Sequence, residues 1–271
     1  MKLQKENKIK KLVFTLIAGT ITFSTIFTLL GGVEDVKKII NQNEGMKQQT
    51  ELIKNALNDE YNQNQNQNYE TPKYDFDKLR EINPKISGII EGDIFEGGYY
   101  PVVSSESFEE VNDNLVHSID GSYNTIGTIT EDPYNISNMQ GNITRIWGHH
   151  FAGEENSGKM FSSLVNYDNQ SFYNEHKTLK YYTDSGEYDL EIFACTKDDP
   201  LNQKIGIDDD LTDDIIDIKS RSFIESDVTP DNRMIILTTC TREGSANDPD
   251  NRISVYAKVN PVYELTSSKV K

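Results

Sequence analysis

From Ile86 onward the chain consists of short runs rich in Val, Ile, Tyr and Thr, each ended by Gly, Asn, Asp or Pro. This alternation is typical of short β-strands joined by turns. The runs include ISGII, YYPVV, NITRIW, KTLKYYT, YDLEIFACT, MIILTTC and RISVYAKV. Two helix-like segments interrupt them: MFSSLVNY, and LTDDIIDIKSRSFI with Thr212 as its expected cap. Many short strands with few helices predict a mainly β fold closed into a barrel, although the pattern does not reveal strand order.

The charge balance limits which partners this chain can bind. Its 271 residues include 27 basic and 44 acidic side chains, for a formal net charge of −17. Such a surface repels polyanions, so nucleic-acid binding is not expected. The length fits one catalytic domain with accessory segments.

The N-terminus has the pattern of a membrane anchor. Five lysines lie in residues 1–11, and an uncharged apolar stretch follows from Leu12 to Val33. That stretch is long enough to span a bilayer, and it exceeds the apolar region of an ordinary cleaved signal peptide. The lysines before it and the acidic Glu34 and Asp35 after it predict a cytoplasmic segment 1–11, a signal-anchor helix 12–33 and an extracellular remainder.

Residues 34–73 predict a connection between the anchor and a globular domain. Apolar positions at partly helical spacing, from Val36 to Leu57, favour short juxtamembrane helices. The run YNQNQNQNYET then cannot bury enough apolar surface to order itself. A tether is the expected use, with association through the Asn/Gln run as the alternative. The catalytic domain is therefore expected over 74–271.

Neither a disulfide nor a metal site is favoured by the sequence. Cys195 and Cys240 could pair in an exported protein, but Cys195 lies in an alternating strand pattern where a thiol packs as a small hydrophobe. The acidic stretch DDPLNQKIGIDDDLTDD lacks an EF-hand pattern and is better explained as a solvated loop and helix start. We therefore expect two free thiols, no metal and no cofactor.

Three residues combine into a candidate site for thiol chemistry. A thiolate nucleophile needs a nearby base or cation, and a donor for the oxyanion that forms when it attacks a carbonyl. Cys240 ends an apolar strand, and a hairpin would bring Arg252, which opens the next strand, back beside it. His149 follows the end of NITRIW. A buried thiol, a surface histidine pair and a solvated arginine remain the alternative explanation.

The residues around these three closely resemble the signature of the sortase family, a Thr-Leu-x-Thr-Cys strand, a Gly-His turn and a downstream Arg. Here the strand reads ILTTC, the turn WGHH, and the next strand opens with NR. Ile236 replaces the first Thr of the motif, away from the nucleophile. The resemblance extends from about Asn83 to Val259.

The resemblance implies an eight-stranded sortase β-barrel with N-terminal helices. A helix-bearing insertion before the cysteine strand resembles class B sortases. GHHFAG, IFACTKDD and the DNR that follows TTC look most like the class-B-fold enzymes that polymerise streptococcal pilins.

The resemblance to sortases also implies roles for the candidate residues. Cys240 would attack the Thr carbonyl of a C-terminal sorting signal, His149 would transfer protons, and Arg252 would stabilise the oxyanion and hold the peptide. Thr239 and the backbone N–H of Thr241 are secondary donor candidates, with strand packing as the alternative for Thr239. The rivals His150 and Arg242, and also His117 and His176, are given no catalytic role.

The expected enzyme is a Gram-positive cysteine transpeptidase of EC 3.4.22 type whose partners carry a C-terminal sorting signal. The acceptor amine would come from a peptidoglycan precursor or from a pilin lysine, and the sequence does not distinguish them. A papain-like protease, an L,D-transpeptidase and a non-catalytic surface scaffold are the competing functions, but the motifs of the first two are missing from the sequence.

Overall fold

The computed structural model describes residues 37–58, 72–135, 141–151, 158–198, 210–231, 233–241 and 252–264. The chain divides into two compact units, Met1–Glu44 and Gly45–Lys271. In the first, residues 37–44 are helical. Within the described ranges no helix is both long and apolar enough to cross a membrane. The expected cytoplasmic segment and anchor helix, residues 1–33, and the Asn/Gln-rich tether, residues 61–71, lie outside those ranges.

Eight strands close into a barrel, as the sequence and the resemblance predicted. They are β1 (Ile86–Glu91), β2 (Tyr99–Val103), β3 (Ile129–Glu131), β4 (Ile143–Trp147), β5 (Thr178–Thr183), β6 (Gly186–Asp198), β7 (Met234–Cys240) and β8 (Arg252–Glu264). Around the barrel the strands run β1-β2-β3-β4-β7-β8-β6-β5. The β2–β3 and β4–β7 pairs are parallel, and the other pairs are antiparallel.

Strand β7 is apolar along its length because both of its faces are covered. Ile235 and Leu237 face the main core of the barrel. Met234 and Ile236 belong to a second cluster on the outer face, with residues of the helix before this strand. A strand covered on both sides has a continuous apolar run instead of an alternating one. Burial continues to Thr239, and Cys240 is the first half-buried residue.

Short helices surround the barrel. They are α1 (residues 45–55), α2 (Phe76–Arg80), α3 (Phe108–Asn114), a 3₁₀ helix (Ser162–Asp168) in the expected MFSSLVNY segment, α4 (Gln170–Glu175) and α5 (Thr212–Ser220). Helix α5 precedes β7, as the class B resemblance implied.

Helix α1 packs against the barrel although it precedes the expected domain start at residue 74. Ile53 and Ala56 are buried in a cluster with Leu79 and Ile86. After α1 the chain is joined to the start of the domain by hydrogen bonds from Asn58 N to Lys73 O and from Asp75 N to Ala56 O. The compact unit therefore includes α1.

The expected cap of α5 was wrong by one position. Leu211 is the N-cap, and Thr212 is already the first helical residue. The Asp210 carboxylate accepts hydrogen bonds from the Thr212 backbone N at 3.0 Å and from its hydroxyl at 2.6 Å. Asp210 therefore serves the first backbone donor of α5, and the Thr212 hydroxyl is itself a donor to the same carboxylate.

Candidate active site

Cys240 and Arg252 are direct partners across the β7–β8 hairpin. Cys240 is the last residue of β7, Arg252 is the first of β8, and the two are aligned in the antiparallel register. Opposed residues of an antiparallel pair project to the same face, with their Cβ atoms about 5 Å apart. Both side chains are partly exposed. Strand register thus places the two residues side by side, as the expected hairpin required.

His149 lies level with Cys240 on the other side of β7. In the parallel β4–β7 register Trp147 is aligned with Thr238, and Gly148 N donates to Thr238 O at 3.1 Å. Continuing the same offset aligns His149 with Cys240. Cys240 at the end of β7 therefore lies between Arg252 at the start of β8 and His149, which is two residues past the end of β4.

One nitrogen of the His149 ring is held by the main chain. Nε2 lies 2.7 Å from the carbonyl oxygen of Leu115, the C-cap residue directly after α3. Since a carbonyl only accepts, Nε2 carries the proton in this contact. The ring also makes an edge contact with Phe151 at a centroid distance of 5.5 Å.

His150 has a different neighbour. Its Nδ1 lies 3.1 Å from the carbonyl oxygen of Thr241, the residue after the nucleophile. The two histidines thus diverge, as successive residues at a strand end were expected to do.

The two threonines predicted as secondary donors occupy buried positions. The Thr239 hydroxyl donates to Gly148 O at 2.8 Å and so joins the cysteine strand to the histidine turn. The Thr241 hydroxyl is buried and makes no hydrogen bond within the described part of the chain. Their roles as oxyanion donors stay predictions, and Thr239 has in addition the packing role considered from the sequence.

Cys195 is separate from this site. It is fully buried on β6, opposite Val255 of β8, in the main hydrophobic core. Both cysteines are free, in agreement with the sequence-based interpretation. Among the described residues no cluster of His, Cys, Asp or Glu could hold a metal ion. Residues 199–209 of the acidic stretch lie outside the described residues.

The remaining histidines contact carboxylates near the surface. His117 Nδ1 lies 3.1 Å from an Asp113 carboxylate oxygen, and His176 Nδ1 lies 3.0 Å from the Asp93 carboxylate. Both contacts fit the structural interpretation given to these residues.

Sequence reasoning missed two features of this part of the molecule. The first is the Leu115 carbonyl, which has no side-chain signal because every residue carries the same group. The second is Glu131 on β3, buried among β-strands and hydrogen-bonded to the hydroxyls of Ser87 and Tyr181. Burial raises the pKa of the Glu131 carboxyl, and the hydrogen bonds offset part of that rise.

Comparison with known proteins identifies the family of this chain. No family model matches the chain. Sortase B of Staphylococcus aureus is 31% identical over 193 residues, which cover 68% of this chain and 74% of the relative. A solved S. aureus sortase B–substrate complex aligns with a TM-score of 0.59 and 29% identity, over 69% of this chain and 85% of that one.

A Streptococcus pyogenes class B sortase involved in pilus biogenesis also aligns, with a TM-score of 0.57 and 25% identity. The alignment covers 68% of this chain and 97% of that one.

The chain belongs to the sortase family of cysteine transpeptidases. Within that family its relatives are class B sortases, one of them associated with pili.

Proposed function

We propose that this chain cleaves a C-terminal sorting signal after a Thr residue and transfers the resulting acyl group to an amine. The observation that carries the proposal is the position of Cys240, which lies opposite Arg252 of β8 and, by the β4–β7 register, level with His149 just past the end of β4. A nucleophile, a proton carrier and a cationic donor are the three groups that acyl transfer needs.

In the first half-reaction the Cys240 thiolate attacks the Thr carbonyl, and the carbonyl electron pair moves onto oxygen. Arg252 stabilises that oxyanion. When the oxyanion collapses, the C–N bond breaks, and His149 gives its proton to the departing amine. The product is a thioester on Cys240.

In the second half-reaction an incoming amine attacks the thioester. His149 takes the proton of that amine, and the C–S bond breaks to regenerate the thiolate. Donors are worth most where negative charge develops, so Arg252 serves both tetrahedral intermediates. Thr239 and the Thr241 N–H are the proposed secondary donors.

The proposed acceptor is an amine of a cell-wall precursor. A pilin lysine is the second candidate, because a class B sortase involved in pilus biogenesis is among the similar structures. The lysines before the apolar stretch 12–33 support a membrane-anchored enzyme with a cytoplasmic N-terminus and an extracellular catalytic domain.

The test uses the full-length chain in detergent, because α1 packs on the barrel ahead of residue 74. A panel of sorting peptides is added without and with amine acceptors, and adducts are located by mass spectrometry. Wild type should carry the acyl group on Cys240 and release it to an amine. Cys240→Ala should form no adduct.

Arg252→Ala should lower kcat by about 10²- to 10³-fold, the usual effect of removing one oxyanion donor. Arg242→Ala, the rival arginine, is the matched control and should retain most activity. The proposal fails if Cys240→Ala turns over peptide, or if the two arginine variants lose activity equally. Recovery of the chain in the soluble culture fraction with residues 1–33 removed would refute the anchor.

A further inference from the structure

The His149 ring is held by a carbonyl whose own position depends on a glycine. Nε2 of His149 and the oxygen of Leu115 are 2.7 Å apart. Leu115 follows α3, where the chain leaves the helix. Whatever fixes the Leu115 peptide therefore also fixes the tautomer and orientation of the imidazole.

Gly127 packs directly against that peptide. Its φ is +69°, a conformation that side-chain-bearing residues rarely adopt. A Cβ built on Gly127 would lie 2.2 Å from the Leu115 oxygen and 2.6 Å from its carbonyl carbon. Both are backbone atoms, so no rotamer change relieves the clash, and the Leu115 peptide would have to move.

The turn that holds Gly127 is braced on two sides. Thr128 N donates to Asn114 O at 2.8 Å, which joins the turn to the last residue of α3. On the other side Gln49 of α1, buried to 1% exposure, donates from Nε2 to Gly127 O at 2.9 Å. A continuous path of contacts thus runs from α1 through Gly127 and Leu115 to His149.

We propose that Gly127 is a positioning residue for His149, with Gln49 holding it in place from α1. This inference rests on the proposed function, in which His149 carries the proton. The physical reason is that only a residue without a Cβ at position 127 lets the Leu115 carbonyl reach Nε2 of His149. Helix α1 is thereby a structural part of the active site.

The test compares Gly127→Ala with Gly121→Ala in the full-length chain. Gly121 has φ +80°, and a Cβ there meets nothing within 4 Å. Both variants place an alanine at a positive φ, but only the Cβ at position 127 clashes with the Leu115 peptide. We expect Gly127→Ala to lower kcat/KM by about 10- to 100-fold relative to Gly121→Ala, the scale of a small misplacement of a reacting group.

The pH dependence separates a positioning role from a loss of fold. An acceptor at Nε2 favours the protonated ring, so losing it lowers the pKa of the imidazolium. In Gly127→Ala the limb of the pH profile that belongs to His149 should move to lower pH. In ¹⁵N spectra the Nε2–H of His149 should lose its hydrogen-bonded signature, a readout that needs no substrate.

Gln49→Met provides a second test if Gly127→Ala does not fold. It keeps the side-chain length and removes the donor to Gly127 O, and the exposed neighbour Gln48 mutated to Met is its control. Gln49→Met should lower kcat/KM several-fold and shift the same pH limb, whereas Gln48→Met should do neither.

A wild-type pH profile and Nε2 signal in Gly127→Ala, or in Gln49→Met if only that variant folds, would overturn the positioning role. Activity in Cys240→Ala would instead overturn the proposed function. The two failures are therefore distinguishable.

Discussion

The hydrogen bond between Thr239 and Gly148 connects the strand of the nucleophile to the turn of the histidine. Replacing Thr239 with Val preserves the shape of the side chain and removes its hydroxyl. Gly148 is buried, and its carbonyl then loses the donor that lies at 2.8 Å. Leaving a buried acceptor without this partner costs about 1–3 kcal/mol.

The added methyl group recovers part of that loss, by up to about 0.8 kcal/mol of apolar burial. A net cost of about 1–2 kcal/mol corresponds to a fall in Tm of roughly 2–8 °C for a domain of this size. Calorimetry on wild type, Thr239→Val and Thr239→Ser measures this fall in Tm. The Ser variant keeps the hydroxyl and should retain the hydrogen bond.

The same variants separate the two roles considered for Thr239. If the hydroxyl only joins the strands, activity should fall together with Tm, and the pH profile should keep its shape. If it also serves the oxyanion, kcat should fall by more than the lost stability explains. An unchanged Tm in Thr239→Val would refute the energetic reasoning.

Three further variants probe the interior. Burial raises the pKa of the Glu131 carboxyl, so the folded state keeps a proton that the unfolded chain has already lost. The contribution of Glu131 to stability therefore falls as pH rises from the pKa of the unfolded chain towards the pKa of the folded protein. Glu131→Gln should therefore gain stability relative to wild type as pH increases from about 4 to 7, measured by urea unfolding. Gly88→Ala should lower the free energy of unfolding by about 1–3 kcal/mol, because its Cβ would lie 2.2 Å from the hydroxyl of buried Tyr181. Cys195→Ala should cost about 1 kcal/mol while the acyl adduct stays on Cys240.

Each of these has an outcome that contradicts it. A stability difference between Glu131→Gln and wild type that does not change with pH would show that the carboxyl titrates normally. Gly88→Ala with a wild-type unfolding midpoint would mean that Tyr181 can move aside. Loss of the adduct in a folded Cys195→Ala protein would assign that thiol a part in the chemistry.

Several elements of the fold were predictable because they depend on local pattern. The apolar run MIILTTC and the polar residues on either side of it indicated a buried strand ending at Cys240, and β7 has these bounds. The position of Arg252 at the start of β8 followed from a hairpin between neighbouring strands. The cap of α5 was mistaken because several polar residues precede or begin this helix, and the sequence does not show which of their side chains contacts its first turn.

Other relations depend on pairing between distant segments. The parallel contact of β4 with β7, which aligns His149 with Cys240, joins residues 91 positions apart in the chain. No local pattern specifies such a pairing, because it is selected by the closure of the whole barrel. The resemblance to sortases implied the partnership of these residues without explaining their register.

The sequence by itself determined the chemical groups, the strand that presents the nucleophile and the arginine that returns beside it. Only the tertiary structure decided that a main-chain carbonyl orients His149, that Gly127 makes room for that carbonyl and that Gln49 of α1 supports the turn. The physical reason is that side-chain patterns record burial and chemistry. Backbone carbonyls are identical at every position, and their use depends on which segments the fold brings together.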